Sequence, residues 1–121
     1  MNQFRFLEWQ VYNDARDLFS SVLMLVSRLP KEYRFELGPQ IVRASFSVVL
    51  NIAEGSGKTS DKELNRYIEI ALGSVSETLA ALDVFRYNTL VSEEEFNDFL
   101  LRLSKIAKEL GGFKKKIARS R

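Results

Sequence analysis

The stretch EEEFNDFLLRLSKIAKELGGFKKKI, residues 93–117, decides the fold class. Within it Phe96, Phe99, Leu103, Ile106, Leu110, Phe113 and Ile117 recur at steps that alternate three and four without error. That spacing puts every one of them on one side of an α-helix, with charge on the other. Ser92 stands before three glutamates. This predicts a capping box, in which the serine oxygen accepts from an unpaired backbone N–H and the acids favour the positive end of the helix dipole. Gly111-Gly112 is expected to kink or loosen the last turns.

The same period recurs upstream. Val11, Tyr12, Ala15, Leu18, Phe19, Val22, Leu25, Val26 and Leu29 predict a helix over about 7–28, stopped by Leu29-Pro30, because a residue before proline is pushed out of helical geometry. Residues 29–36 read as a connection. The second helix is expected over about 38–55, with Pro39 in its first turn, where a missing N–H costs little. Between Phe46 and Ala53 its apolar residues cover nearly the whole circumference, which predicts burial against a second subunit. Gly55-Ser56-Gly57 reads as a left-handed glycine cap. Ser60-Asp61-Lys62-Glu63 is a further capping box, opening a third helix over about 61–88. Together these give an all-α single domain, 1–121, folded as an antiparallel up-down-up-down four-helix bundle with short connections.

Composition narrows the chemistry. Hydrophobic residues are 45% and charged residues 28%, a balance that supports a packed core without a metal or disulfides. There is no cysteine and no histidine. This removes thiol nucleophiles, imidazole acid–base chemistry and thiolate or imidazole metal ligands. No cofactor is expected, and the chain reads as non-enzymatic. The sequence shows neither a bilayer-length apolar run nor a signal-peptide pattern, so the expected location is cytoplasmic and no membrane partner is implied. Gly55-x-Gly57-Lys58-Thr59 lacks the spacing of a nucleotide-binding loop.

Charge is unevenly distributed. Residues 61–98 carry three basic and nine acidic side chains, whereas residues 99–121 carry eight and one. Lys114, Lys115, Lys116, Arg119 and Arg121 are the clearest candidates for phosphate contact, against the alternative that they merely complement a helix dipole. Lys58, Lys62 and Arg66 form a smaller cluster. Neither cluster would read base sequence, since phosphate contacts carry no base information.

Other residues read as structural. Asn51 and Glu54 suggest a capping network around Gly55 ahead of a polar site. Gly73 and Ser74, in mid-helix, suggest close approach of a neighbouring backbone. Arg43 and Glu77 suggest a buried ion pair fixing the register of the second and third helices.

Several of these residues also carry a resemblance. Gln40-Ile41-Val42-Arg43-Ala44, Asn51-Ile52-Ala53-Glu54-Gly55-Ser56-Gly57, Lys62 to Tyr67 and Ile70-Ala71-Leu72-Gly73-Ser74-Val75-Ser76-Glu77, with Trp9-Gln10 and Leu29-Pro30, resemble the bundle proteins encoded in intervening sequences of large-subunit ribosomal RNA genes. The accessory protein of diversity-generating retroelements is similar. The resemblance implies a left-handed bundle, assembly into homo-oligomeric rings, typically pentamers, and binding of RNA or other nucleic acid. It also implies an alternative, a protein-interaction scaffold such as an accessory subunit for a reverse transcriptase.

Overall fold

A computed structural model describes residues 4–119, with side chains for 4–118. Among these residues there are four α-helices and no strand: α1 (Gln10–Ser27), α2 (Lys31–Ser56), α3 (Asp61–Tyr87) and α4 (Glu93–Arg119), preceded by a 3-10 turn over Arg5–Glu8. Each helix packs on the next, and α1 closes the ring against α4. The core runs the length of the bundle, from Val11, Ala15 and Leu18 on α1 through Ile41 and Val48 on α2 and Ala71 and Leu82 on α3 to Leu103, Ile106 and Leu110 on α4. No described helix is long and apolar enough to cross a membrane.

Both serine caps form as expected. Ser60 Oγ accepts from the Glu63 N–H at 3.1 Å, and Ser92 Oγ accepts from the Glu95 N–H at 3.1 Å. The carboxylate of Glu95 reaches across to Arg28 at the end of α1.

The second helix begins seven residues earlier than its sequence suggests. Residues 31–36 are helical, and Pro39 lies inside α2. Pro30 supplies the start: its carbonyl accepts from the N–H groups of Tyr33 and Arg34, both at 2.9 Å. Proline inside a helix frees the carbonyl four residues before it. Here that residue is Phe35, which is exposed along with Pro39, so water can satisfy the carbonyl. At the other end of the chain, α1 starts at Gln10, because residues 5–8 form the 3-10 turn and Trp9 is extended. Helix α4 runs unbroken through Gly111-Gly112.

Glycine serves approach, not a left-handed cap. No glycine has positive φ among the described residues, and Gly57 closes α2 at φ −88°. Gly55 instead lies in the α2–α3 contact, where an added Cβ would sit 2.9 Å from Tyr67 Cβ. Gly73 is the reverse case. It is exposed, and a Cβ there would meet nothing within 4 Å, so the close approach expected at that position occurs at Gly55. Asn51 does not cap the turn either: its Nδ2 donates to Ser47 O at 2.8 Å, and exposed Glu54 pairs with Lys58 at 3.5 Å. Arg43 and Glu77 are both exposed and no ion pair joins them among the described residues. The polar link between α2 and α3 is Ser74 Oγ donating to Ser47 Oγ at 2.8 Å.

The left-handed residue is Thr89, at φ 58°. It ends α3 in a Schellman motif: Leu90 N–H donates to Phe85 O at 2.8 Å and Thr89 N–H to Arg86 O at 3.0 Å. A β-branched residue is strained there. Thr89→Gly is therefore expected to stabilise the chain by about 1 kcal/mol, read as a higher denaturant midpoint at unchanged slope.

Candidate nucleic-acid interface

The antiparallel order places the end of α2, the start of α3 and the end of α4 together. The two basic segments, some fifty residues apart in sequence, therefore share one end of the bundle. One ion pair ties them there, Lys114 Nζ lying 3.3 Å from Glu69 on α3, and Arg5 Nη2 joins the N-terminal turn to the same end by donating to the Ser56 carbonyl at the end of α2 at 3.1 Å. Lys58 Nζ and the Arg66 guanidinium approach the Tyr67 ring at 5.2 and 5.9 Å. Lys62, Arg66, Lys115 and Lys116 form no ion pair among the described residues. Lys62, Arg66, Lys115 and Lys116 are exposed. Arg119 is the last residue of α4, and Arg121 lies outside the described residues. Acids are present too. Glu54 and Glu69 each occupy one lysine, which leaves the unpaired cations as the groups able to meet phosphate.

Aromatic rings complete this end. Trp9 and Phe113 pack at a centroid distance of 4.9 Å, joining the start of α1 to the last turns of α4. The Arg5 guanidinium lies 5.4 Å from the Trp9 ring. A groove of about 470 Å³ opens here, with Trp9, Phe113, Gly112, Lys116 and Glu109 in its lining. Sequence reading places Phe113 in the core and gives Arg5 no role: residues 5–8 form a 3-10 turn and Trp9 is extended, so no helical spacing signals the contact of Arg5 with Trp9.

Behind the groove lies a pair of carboxyls that sequence reading also misses. Asp14 on α1 and Glu109 on α4 face each other, with Asp14 Oδ2 and Glu109 Oε1 both buried. Lys105 Nζ is 3.2 Å from Asp14 Oδ2, and Gln10 donates to Asp14 Oδ1 at 2.7 Å. Burial, together with the hydrogen bond and charge of Asp14, raises the Glu109 carboxyl from its ordinary 4.5 to about 7. Burial also pushes Asp14 up, but hydrogen bonds from Gln10, Glu109 and Lys105 outweigh it and hold the group below 3.8. Below pH about 7 the pair thus favours holding one proton, on Glu109.

The consequence for stability follows from proton uptake. Between pH 4.5 and 7 the folded chain binds a proton at Glu109 that the unfolded chain has released, so stability falls as pH rises through that window. The Asp14 contribution is present above 3.8 and is lost as pH falls further. The melting temperature should therefore be higher at mildly acidic pH than at pH about 8. Glu109→Gln, which keeps the shape and supplies a permanent donor, should remove that difference; equal melting of the parent at both values would contradict the shared proton.

The molecule so assembled is an antiparallel four-helix bundle whose basic and aromatic groups gather at one end. The chain belongs to the 23S rRNA-intervening sequence protein family, whose model matches residues 8–112. A crystal structure of a protein of unknown function from the S23 ribosomal protein family of Bacteroides thetaiotaomicron VPI-5482 superposes with a TM-score of 0.81 at 21% identity, covering 87% of this chain and 98% of that one. That likeness shows the fold. No curated protein matches the chain.

Proposed function

We propose that this chain is a non-enzymatic subunit of a homo-oligomer that binds RNA through the basic end of its bundle. The observation that carries the reading is the convergence of exposed Lys62 and Arg66 with Lys115 and Lys116 at one end of the fold, all four without an ion pair among the described residues, beside the ion-paired Lys58 and Lys114. Cations grouped on one surface displace counterions from a polyanion together.

The oligomer rests on a separate surface. Phe46 and Leu50 on α2 are 43% and 50% exposed, and Phe46 stacks on Phe19 of α1 at 5.0 Å, so apolar surface continues across two helices. Contiguous apolar surface of this kind favours a partner. A ring of five, as the resemblance implies, would present the basic end five times and raise avidity.

The test is RNA binding followed between 50 and 200 mM salt, with solution mass measured on the same sample. Binding that weakens steeply with salt, by an oligomer, is the expected result. A monomer would remove the oligomer. An oligomer with no RNA affinity at low salt would favour the scaffold reading, in which the same cations dock an acidic protein surface or a reverse transcriptase.

A further inference from the structure

The N-cap of α1 is an unusual place for an indole. That position ordinarily carries a serine, threonine, aspartate or asparagine whose oxygen caps the first N–H groups. Trp9 occupies it with no side-chain capping bond. The ring lies across the bundle end, in contact with Phe113. Phe113 follows two glycines in the interior of α4, where glycine is unfavourable. Neither glycine is required by packing, since a Cβ at Gly111 or Gly112 would meet nothing within 4 Å. What bareness at position 112 does is leave space: Gly112 lines the groove beside the two contacting rings, and a large side chain there would narrow it.

The surroundings of the groove fix the kind of occupant. Lys116 stands in its lining, exposed Lys115 is the next residue, and Arg5 lies against Trp9. Glu8 and Glu109 are also in the lining and offer carboxyl oxygens. A groove walled by two contacting aromatic rings beside cations, with polar groups in its lining, matches a planar base attached to a phosphate. Every base has a face that stacks on an aromatic ring, and single strands present such faces unpaired. A duplex or a bare polyanion offers only phosphates to the same lysines.

We propose that the Trp9–Phe113 groove is a subsite for one unpaired base of single-stranded RNA whose phosphates lie on the adjacent lysines. This rests on the RNA-binding reading and adds to it a preference for unpaired over duplex RNA. It also gives Phe113 a binding role beside its packing on Trp9, and Gly112 the role of keeping the groove open.

Trp9 is the chain's single tryptophan, so its fluorescence reports on this groove directly. The probes are an oligouridylate, an RNA duplex of equal length and inorganic polyphosphate, each titrated into the full chain at low salt. The oligouridylate should quench Trp9 emission, while the duplex and polyphosphate bind without quenching. Phe113→Leu should weaken oligouridylate binding about tenfold and leave the other two unchanged. Gly112→Leu, which fills the groove while improving helix propensity, should abolish the quenching even if Phe113→Leu folds poorly. Oligouridylate binding with unaltered emission, or equal quenching by polyphosphate, overturns the base subsite and leaves RNA binding in place. Absence of binding by either RNA overturns both.

Discussion

Gly55→Val is expected to destabilise the chain by about 3 kcal/mol, through overpacking of the α2–α3 contact. The Cβ of any residue at position 55 would stand 2.9 Å from Tyr67 Cβ and 3.3 Å from Leu64 Cδ1. Tyr67 Cβ is one bond from its own backbone, so relief requires α3 as a whole to move. Gly38 makes a useful contrast. A Cβ there would meet Val26 Cγ1 at 2.8 Å, a side-chain tip that a rotamer change can withdraw. Helix propensity works the other way, favouring alanine over glycine by about 1 kcal/mol, so Gly55→Ala should cost less than Gly55→Val. In thermal melts the valine variant should lose roughly 10 °C or more. A melt within a degree or two of the parent would mean that α3 is not held against α2 at Gly55.

The second large effect concerns binding. Replacing Lys62, Arg66, Lys115 and Lys116 together by glutamine should lower RNA affinity by about a hundredfold at moderate salt. It should also flatten the salt dependence, since each phosphate contact with a single strand contributes roughly 0.7 to the slope. All four residues are exposed and without ion pairs among the described residues, so folding should be little affected, and far-ultraviolet circular dichroism with thermal melts serves as the control. The same number of substitutions at the opposite end, at Arg28, Lys31, Arg34 and Arg86, should leave the slope nearly unchanged. Equal losses from the two ends would assign the binding to net charge rather than to a site.

How much of this was legible beforehand differs from element to element. The period of α4 was complete in the sequence because an amphipathic helix repeats one local rule, and the serines at positions 60 and 92 punctuate it. The start of α2 was not, because Pro39 has the same local signature at a first turn as at an exposed interior position. Which it occupies depends on whether water can reach the Phe35 carbonyl. The end of α3 was hidden for a related reason: threonine at position 89 gives no hint of a left-handed residue. Arg43 and Glu77 have complementary charges, but their faces turn outward once Gly55 and the Ser47–Ser74 bond draw α2 and α3 together. Each basic segment of the candidate site could be read singly. Their meeting, the Trp9–Phe113 contact and the Asp14–Glu109 pair all depend on topology, since they join residues that only the antiparallel order brings into reach.

The most direct test of the RNA-binding end is ultraviolet cross-linking of bound RNA to the parent chain, with the attached peptides mapped by mass spectrometry. Cross-links should fall on the segments 5–10, 58–67 and 112–116, which meet at one end of the bundle. Cross-links concentrated instead at the opposite end, around residues 28–36 and 86–95, would contradict the assignment of RNA binding to the basic end.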